Sequence, residues 1–505
     1  MDVVSLLFSP VTLTVTAISC LYFLYWYGTS TFSYFRDQGI TGPKPVPYVG
    51  NIWGLWKENL PEYDKKMVKK YGKTFGTFDG TLPNLYTIDA DLIKSIFVKD
   101  FDHFVNRRNF VIKRKIFRKM LSIIQNKEWK DVRSSVTPIF TTGKIKQMSV
   151  MITDCANQLV PKLRAIAEGE GKFDAKLHFS AFTVDVIARC AFGMTIDNLN
   201  GKDNEFMTKA KAVFSPPANK SPLIMIPFTF PNLMATFADR IFFPKEFEFF
   251  TNLLTDLIQQ RSNSTEKYHD FVEVATNAIM EYTKTVNGKE MPMWDREEVD
   301  EIVISQSMLF LLAGFDTTAT TLTNSAFLLA RNPGVQDRLY KEIIEKHKHF
   351  GEVNHEMILD FPYVDHVIHE VLRMCPPVIR VERGCNKEVT YKGIHIKKGM
   401  VVTVPAFPLH YNEEYYPDPY RFNPDRWAPD SDIKPNPYAF MPFGMGPRNC
   451  VGMRFAMEEM KIALCTLVKN FRFFPVAETP ETMQFEDGFL GVAQPIGATV
   501  GIESR

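Results

Sequence analysis

Apolar residues recur at helical spacing through the middle and the second half of the chain. The pattern is clearest over residues 205–214, 245–262, 301–332 and 362–374. Apolar positions three and four residues apart lie on one face of a helix, which can then pack against a core. We therefore predict helices over these four segments, of which 301–332 is the longest and the most apolar.

Short runs rich in β-branched and aromatic residues lie before and after these helical segments. Four such runs, typical of strands, are residues 73–80, 84–89, 388–399 and 401–407. Because the predicted helices cover far more of the chain than the predicted strands, the predicted fold class is mainly α with small β-sheets.

The amino-terminal residues 3–27 carry no charge and end in a cluster of aromatic side chains. As a helix rising ~1.5 Å per residue, this segment would be roughly 37 Å long, enough to cross a bilayer core of ~30 Å. No Lys or Arg precedes it, whereas Arg36 and Lys44 follow, which predicts a transmembrane anchor with the following domain in the cytosol. The glycosylation-type sequence at Asn263 should then stay unmodified. A cleaved signal peptide would be shorter and would begin with basic residues.

Three prolines follow within residues 41–51, where they exclude a regular helix and predict a stiff, extended spacer. The rest of the chain has no further linker, repeat or low-complexity tract. The predicted organisation is therefore a membrane anchor over 1–30, a proline-rich hinge over 31–50 and one large domain over 51–505.

Composition narrows the classes of function. The 505-residue chain has a formal net charge of +1, which gives no electrostatic case for nucleic-acid binding. Its seven cysteines include no CxxC pair and are odd in number, which argues against a disulfide scaffold and against a cysteine-rich zinc site. Most of them are predicted to be small buried side chains.

Two segments each allow two interpretations. Residues 215–237 mix prolines with large apolar side chains, typical either of a buried loop or of a surface that dips into a membrane. Residues 107–127 hold eight cations and no acid, typical either of a solvated face or of a site for anionic groups.

The sequence HEVLR at 369–373 departs from the zinc-binding HExxH motif because Arg373 replaces the second histidine. It leaves Glu370 and Arg373 one turn apart on an apolar helix, which predicts a buried ion pair. A buried pair needs further polar partners, and Arg426 in a proline-rich stretch is the candidate.

The sequence LLAGFDTT at 311–318 places polar residues inside the longest apolar helix. Asp316, Thr317 and Thr318 are costly there unless they are hydrogen-bonded, and Gly314 weakens the helix just before them. The pattern predicts a local opening of the helix. Such an opening is typical of a simple kink, or of an acid and a hydroxyl that handle protons beside a cavity.

The stretch MPFGMGPRNCVGMRF at 441–455 frames Cys450 with glycines, a proline and arginines. Glycine allows close approach of the backbone, and a thiolate is both a nucleophile and a metal ligand. The stretch alone leaves both roles open. The chain contains no GxSxG elbow and no phosphate-binding loop, and GMGPRN completes only part of a dinucleotide fingerprint.

These motifs, in this order, resemble those of the cytochrome P450 superfamily. The haem-binding pattern F-x-x-G-x-R-x-C-x-G is filled at every fixed position, by Phe443, Gly446, Arg448, Cys450 and Gly452. The family's other motifs fall on Glu370 and Arg373, on Arg426, on Ala313 to Thr318, and on Trp129 and Arg133. The resemblance covers essentially the whole chain and implies a cytochrome P450 fold with an N-terminal transmembrane helix.

Within the superfamily the chain looks most like the microsomal family 3, subfamily A branch, through stretches such as NRR, EWKDVRSSVTPIFTTGKIKQM and YAFMPFGMGPRNCVGMRFA. It departs from that branch between Arg108 and Trp129 and in the loop after Val213. In such enzymes both regions contact the substrate, so the resemblance carries no substrate over to this chain.

The resemblance also implies a set of cofactor-binding residues. Cys450 would be the axial thiolate ligand of the iron of haem b, shielded by Phe443, and the helix that follows would help to lower the pKa of the thiol. The remaining residues implied in haem binding are Arg107, Trp129, Arg133, Ala313, Arg383, Gly446, Arg448 and Gly452. The arginines and Trp129 would bind the propionates, and the two glycines would let the backbone approach the sulfur and the porphyrin.

By the same resemblance, Asp316 and Thr317 would manage the delivery of protons during oxygen activation. Glu370, Arg373 and Arg426 would hold the fold and touch neither haem nor substrate.

The implied function is a monooxygenase anchored in the endoplasmic reticulum membrane, found in microsomes, that inserts one atom of O2 into a lipophilic substrate such as a xenobiotic or a steroid. Electrons would come from NADPH through NADPH–cytochrome P450 reductase, with cytochrome b5 as a further candidate partner. Two alternatives remain open: a haem-thiolate isomerase or synthase that rearranges peroxides without a reductase, and a non-enzymatic haem sensor. Relatives that rearrange peroxides tend to lose the acid–threonine pair, which this chain keeps at Asp316 and Thr317.

Overall fold

The computed structural model describes residues 10–109, 112–195, 205–214, 245–262, 270–287, 294–486 and 492–505. Helices occupy most of this part of the chain and the strands are short, which confirms the predicted fold class. The interpretations of 215–237 and the expectation for Asn263 lie outside the described residues.

Long helices make up the body of the protein, and short ones connect them. In chain order the helices are α1 Pro10–Thr29, α2 Ile52–Lys57, α3 Leu60–Tyr71, α4 Ala90–Lys94, α5 Lys115–Arg118, α6 Asn126–Val136, α7 Thr142–Glu168, α8 Ala175–Phe192, α9 Glu205–Phe214, α10 Glu246–Ser262, α11 Phe271–Asn287, α12 Arg296–Arg331, α13 Pro333–Phe350, α14 His355–Leu359, α15 Pro362–Met374, α16 Ala406–His410 and α17 Met453–Asn470.

The strands form small sheets at the side of the helical body. They are β1 Thr74–Asp79, β2 Leu82–Thr87, β3 Lys172–Asp174, β4 Arg380–Gly384, β5 Val389–Tyr391, β6 Ile394–Ile396, β7 Val401–Pro405, β8 Phe471–Phe474, β9 Gln484–Phe485, β10 Pro495–Ile496 and β11 Thr499–Ser504. One sheet has the order β1-β2-β7-β4, another has the order β3-β11-β8, and β5-β6 and β9-β10 are two-stranded. In the first sheet β2 and β7 run parallel, with Leu85 opposite Val402, and the other pairs are antiparallel.

The predicted helices over 205–214, 245–262, 301–332 and 362–374 correspond to α9, α10, α12 and α15, although α12 begins five residues earlier than predicted. The strand predictions correspond to β1, β2, the β5-β6 hairpin and β7. β7 is shorter than predicted because the chain turns into α16 directly after it.

Helix α12 runs through the centre of the protein. Asp295 caps its start by accepting a hydrogen bond from the Glu298 N–H at 2.8 Å, and the Glu298 carboxylate accepts one in return from the Asp295 N–H. Most side chains from Val299 to Ala330 are buried, as expected of a helix that is apolar on all sides. Helices α8 and α17 pack against it, so that the LLAGFDTT stretch lies deep in the core.

The predicted opening of this helix at Gly314 does not occur, because residues 296–331 form a continuous α-helix. Gly314 meets a packing requirement instead, since a Cβ at this position would lie 3.0 Å from Cδ1 of Ile187 on α8. The missing side chain therefore lets α8 and α12 approach closely. The Thr317 hydroxyl donates to the Ala313 carbonyl at 2.6 Å without interrupting the helix.

Helix α1 differs from the rest of the described chain in its exposure. Two helices of the described part, α1 and α12, are long and apolar enough to cross a membrane. In α12, 67% of the most apolar window is buried inside the protein, compared with 6% in α1. Large side chains of α1 such as Leu21, Phe23 and Trp26 are exposed, which makes α1 the candidate membrane span.

The proline-rich segment after α1 lies along the edge of β1. The Gly76 N–H donates to the Thr41 carbonyl at 2.9 Å. A Cβ on Gly42 would lie only 1.9 Å from the Gly76 carbonyl oxygen, so this contact admits only glycine. The buried Phe35 packs edge-on against Phe78 of β1. The hinge residues therefore belong structurally to the small sheet.

Candidate active site

Cys450 lies at the end of a sharp loop that precedes α17. Its backbone N–H donates to the Phe443 carbonyl at 2.8 Å, and α17 begins three residues later, at Met453. The thiol lies deep in the protein and is nevertheless exposed, because it opens onto an internal cavity of about 730 Å³.

The surroundings of this thiol act on its ionisation in two directions. Burial has the largest effect and leaves the pKa of Cys450 raised overall, although the Gly452 N–H and the cations of Arg107 and Arg133 act to lower it. A helix start and nearby guanidinium groups are the features that stabilise a thiolate in proteins. Cys450 is therefore placed as a metal ligand requires, with its sulfur facing open space and partial positive charge behind it.

Two positions of the loop, 452 and 446, are occupied by glycine for different structural reasons. Gly452 lines the cavity, where a Cβ would come no closer than 3.8 Å to Phe140, so the backbone there leaves room for a flat group. Gly446 is not among the residues that line the cavity, and its implied role of letting the backbone approach a cofactor stays a prediction. Its φ is +72° and a Cβ would lie 1.8 Å from the Phe97 carbonyl oxygen, so the fold of the loop itself requires glycine.

Four arginines gather around the Cys450 loop: Arg107, Arg133, Arg383 and Arg448. None of them forms an ion pair with an acid among the described residues, and the Nε atoms of Arg107, Arg383 and Arg448 are buried without a hydrogen-bond partner there. Burial lowers the pKa of Arg383, and the charges of Arg107 and Arg448 lower it further. Buried cations without counter-charges are costly, and carboxylates on a bound group would compensate them.

Backbone carbonyl groups orient these arginines. Arg133 donates to Asn449 at 2.9 Å, and Arg448 donates to Val105 at 2.7 Å. Trp129 lines the cavity under Arg448, whose guanidinium lies 5.0 Å from the centre of an indole ring. The indole N–H of Trp129 is buried and has no partner in the described part of the chain, so it is a further donor for an anionic group.

Helix α12 forms another wall of the cavity, through Ala313, Gly314, Thr317 and Thr318. The Thr317 hydroxyl donates to the Ala313 carbonyl, so its oxygen keeps lone pairs that can accept a hydrogen bond from a water or a ligand in the cavity.

Asp316 does not line the cavity, in contrast to the expectation that the acid and the hydroxyl face it together. Adjacent helix positions are ~100° apart around the axis, so Thr317 faces the cavity and Asp316 faces α8. There it pairs with Lys176 at 2.6 Å, and it accepts a further hydrogen bond from Gln494. Lys176 also donates to Thr320 at 2.8 Å. Because the Lys176 side chain is 21% exposed, this pair connects Asp316 to solvent.

Glu370, Arg373 and Arg426 meet in the core beside α15, and none of them lines the cavity. Arg373 donates twice to Glu370, at 2.8 and 2.9 Å, and Arg426 donates to the same carboxylate at 3.3 Å. The indole N–H of Trp427 completes this group at 2.9 Å. All three charged side chains are almost completely buried. The carboxylate is therefore fully hydrogen-bonded, which a buried ion pair requires.

This geometry predicts a large effect on stability for the Arg373→Ala variant. Removing one partner of a buried pair typically costs ~3–5 kcal/mol because the other charge stays buried without compensation. We expect little haem-loaded protein and a markedly lower melting temperature. Arg338, about half exposed and paired with Asp425 at 2.6 Å, provides the control, since Arg338→Ala should cost roughly 0–1 kcal/mol. A well-folded, haem-loaded and active Arg373→Ala protein would contradict this structural role.

A charged wall forms another part of the cavity, and no local sequence pattern predicts it, because its residues come from separate segments of the chain. Arg108 donates to Glu382 at 2.8 Å and pairs with Asp79 at 2.7 Å. Arg380 pairs with Asp64 at 2.6 Å. Burial alone would raise the pKa of Glu382, but the charge of Arg108 outweighs this and keeps the pKa low. Glu382 is therefore ionised, and the charged side chains of this wall lie in pairs of opposite sign.

Both interpretations of the basic stretch over 107–127, a solvated face and a site for anionic groups, apply to different parts of it. Lys115 pairs with Glu301 at 2.5 Å and Lys119 pairs with Glu128 at 2.9 Å, both near the surface. Arg107, by contrast, lines the cavity and belongs to the arginine cluster described above. One end of the stretch is therefore a candidate anion site, and several of the other cations form ion pairs with acids outside the stretch.

A second hollow of about 550 Å³ lies on the other side of the Cys450 loop. Pro442, Phe443 and Gly444 line both this hollow and the cavity, so they form the thin wall between the two. Phe443 thereby lies in the wall of the cavity that also holds Cys450, and the shielding of the sulfur by its ring stays a prediction.

The residues around the cavity fit the cofactor that the resemblance implies. A thiolate-ligated haem needs one sulfur facing the metal, a narrow space for a flat ring, and donors for two propionate carboxylates. Cys450 meets the first need, and Gly452 and Ala313 at the cavity wall meet the second. Arg107, Arg133 and Arg448 meet the third together with Trp129, whereas Arg383 is fully buried and does not line the cavity.

Comparison with known proteins gives a consistent result. Residues 40–500 match the family model of cytochrome P450. The chain is 35% identical to cytochrome P450 3A41 of Mus musculus over 482 residues, which cover 94% of each chain. It is 36% identical to cytochrome P450 3A11 of Mus musculus, with 98% of this chain and 97% of the relative covered. Cytochrome P450 3A29 of Sus scrofa is also 36% identical, with 94% and 92% covered.

Proposed function

The chain belongs to the cytochrome P450 family and is a haem-thiolate monooxygenase, and from this premise we propose that it oxidises lipophilic substrates with electrons delivered from NADPH by a reductase. The observation that carries the proposal is the cavity: one wall holds the Cys450 thiol, and another holds the Thr317 hydroxyl in a largely apolar lining. The overall reaction would convert RH, O2, NADPH and H⁺ into ROH, water and NADP⁺.

We propose haem b as the cofactor, with Cys450 as its axial ligand and Phe443 beside the sulfur. Arg107, Arg133 and Arg448, together with Arg383 and Trp129, would bind the propionates. When bound, the haem supplies the reductive activation of O2 and the oxidation of an unreactive C–H bond. The orphaned Nε atoms of the arginine cluster support this assignment.

The proposed substrates are lipophilic because the free part of the cavity is lined mainly by apolar groups. Ile112, Phe140, Phe271, Leu309 and Phe310 contribute to this lining. Such a surface binds apolar molecules by excluding water, while a few polar groups fix their orientation.

Proton delivery is the proposed role of Thr317 and Asp316. Thr317 would hold a water in the cavity by accepting a hydrogen bond from it. Asp316 would act from outside the cavity, as the group that exchanges protons with solvent through its contact with Lys176. The different directions of the two side chains, which are adjacent positions of α12, support these separate roles.

We further propose that residues 1–30 anchor the protein in the endoplasmic reticulum membrane with a single span. The exposed apolar surface of α1 supports this placement. Residues 31–50 would lead the chain onto the catalytic domain over 51–505, which would lie in the cytosol. NADPH–cytochrome P450 reductase and cytochrome b5 would approach the face with the second hollow, because only the Cys450 loop separates this hollow from the sulfur.

Reconstitution tests the proposed function. Full-length, haem-loaded protein is combined with NADPH, isotopically labelled O2 and a panel of steroids and drug-like compounds, with and without the reductase. We expect a product that carries one labelled oxygen atom, only when the reductase is present. Rearrangement of a peroxide without reductase would overturn the proposal in favour of an isomerase. Substrate-induced changes in the haem spectrum without any product would favour a sensor.

A further inference from the structure

His410, the last residue of α16, lies in the core between the buried Glu370–Arg373 pair and the loop that carries Cys450. Its side chain is fully buried. Nδ1 lies 3.0 Å from the Arg373 carbonyl oxygen, and Nε2 lies 3.1 Å from the backbone nitrogen of Met441. Arg373 belongs to the buried ion-pair group, and Met441 is the first residue of the stretch that carries Cys450.

The two partners fix the chemical form of the ring. A carbonyl oxygen can only accept a hydrogen bond, so Nδ1 must carry a proton and donate it. A backbone N–H can only donate, so Nε2 must be unprotonated and accept. His410 is therefore neutral, with its proton on Nδ1. Burial, and next the charge of Arg373, lower its pKa to about 3, so the ring keeps this form at any working pH.

Hydrogen bonds continue from this ring to the cysteine. The Met441 carbonyl accepts from the Gly444 N–H at 3.0 Å, and the carbonyl of the adjacent Phe443 accepts from the Cys450 N–H at 2.8 Å. Two hydrogen bonds join His410 to Arg373. The ring Nδ1 donates to the Arg373 carbonyl, and Arg373 Nη1 donates to the His410 carbonyl at 3.0 Å. A short series of bonds thus leads from the Glu370–Arg373 pair to the Cys450 backbone.

We propose that His410 is a positioning residue, which couples the buried Glu370–Arg373 pair to the Cys450 loop and thereby keeps the sulfur in place as the axial thiolate. This inference rests on the proposed role of Cys450. Without the acceptor at Nε2, the buried Met441 N–H loses its partner, and an unsatisfied buried donor is costly. The loop then moves to satisfy it, and the displaced thiolate takes up one proton from water and becomes a thiol.

Two variants test the two hydrogen bonds of the His410 ring one at a time. In His410→Asn the amide nitrogen can replace Nδ1 and keep the bond to Arg373, while the acceptor for Met441 is lost. In His410→Gln the amide oxygen can reach the position of Nε2 and keep the bond to Met441, while the bond to Arg373 is lost. His369→Asn is the matched control. The rings of His410 and His369 both pack on Phe440, with ring centres 5.6 and 5.5 Å away. His369 bonds to the Asp365 carbonyl and has no hydrogen bond to Met441.

The measurement is the rate at which reduced, carbon-monoxide-treated holoprotein changes from the thiolate to the thiol spectrum in mild denaturant. We expect His410→Asn to convert about ten times faster than wild type, as the loss of ~1.4 kcal/mol from one buried hydrogen bond implies. His410→Gln should rescue most of this loss, and His369→Asn should convert at the wild-type rate. Equal rates for His410→Asn and wild type would overturn the proposal. If His410→Asn and His410→Gln both convert faster than wild type by the same factor, the bond to Met441 has no specific role, and the proposal is also overturned.

Selective nitrogen labelling of histidine in the wild-type holoprotein gives a test that needs no variant. Nuclear magnetic resonance should show one ring with its proton on Nδ1, an unprotonated Nε2 that accepts a hydrogen bond, and no titration between pH 5 and pH 8. A proton on Nε2 would overturn the proposal even if both variants failed to fold. If wild type never shows the thiolate spectrum, the proposed role of Cys450 fails, and this outcome is distinct from a lack of difference among the His410 variants.

Discussion

We expect the Cys450→Ser variant to bind haem without the absorption signature that a thiolate ligand gives to the reduced, carbon-monoxide-treated protein. Serine preserves the size of the side chain, but its hydroxyl ionises far less readily than a thiol and donates less charge to a metal. Thiolate donation favours cleavage of the O–O bond. Product formation should therefore fall to the background level, the largest effect expected from any single change in this chain.

A matched control distinguishes this loss from a general effect of removing a cysteine. Cys385 is buried, does not line the cavity, and has its pKa raised to about 11 by burial. Cys385→Ala should keep the thiolate spectrum and the activity, with at most a small loss of stability. An unchanged spectrum in Cys450→Ser would show that another residue binds the iron. The same spectral loss in Cys385→Ala would show that the spectrum does not report on Cys450.

The motifs of the candidate site could be found in the sequence because each is a local pattern with a physical reason. The spacing of Glu370 and Arg373 places them on one helical face, and the structure joins them at 2.8 Å. The pattern of α12 also identifies the central helix. Sequence spacing does not show which neighbouring element each side chain meets. Asp316 follows the family motif, yet it points to Lys176 and Gln494, which are 140 and 178 residues away along the chain.

Tertiary contacts also explain the expectations that did not hold. Gly314 weakens an isolated helix, but here the helix remains continuous because α8 packs closely over the glycine. The prolines after α1 exclude a regular helix, and the segment that contains them bonds to β1 through the Gly76 N–H and the Thr41 carbonyl. His410 and the charged wall around Arg108 could not be predicted, because their partners come from segments that no local pattern connects.

We expect the Thr317→Ala variant to bind haem and to show normal substrate-induced spectral changes, but to release most of the reduced oxygen as hydrogen peroxide. In the structure the Thr317 oxygen faces the cavity while its proton is donated to the Ala313 carbonyl. It can therefore hold a water as a proton donor, and alanine cannot. Loss of one positioned proton donor typically costs ~10²–10⁴-fold. The rate of product formation should fall by this order, while NADPH is still consumed through the reductase.

Thr321 offers the control, because it lies one turn further along the same helix and donates to the Thr317 carbonyl at 2.9 Å in the same manner. It is buried and does not line the cavity. NADPH consumed, peroxide released and product formed are measured for wild type, Thr317→Ala, Thr317→Ser and Thr321→Ala. Serine keeps the hydroxyl, so Thr317→Ser should retain most of the product per NADPH, and Thr321→Ala should match wild type. If product per NADPH stays the same in Thr317→Ala, Thr317 does not deliver protons. If Thr321→Ala loses product equally, the effect belongs to the helix backbone and not to a hydroxyl in the cavity.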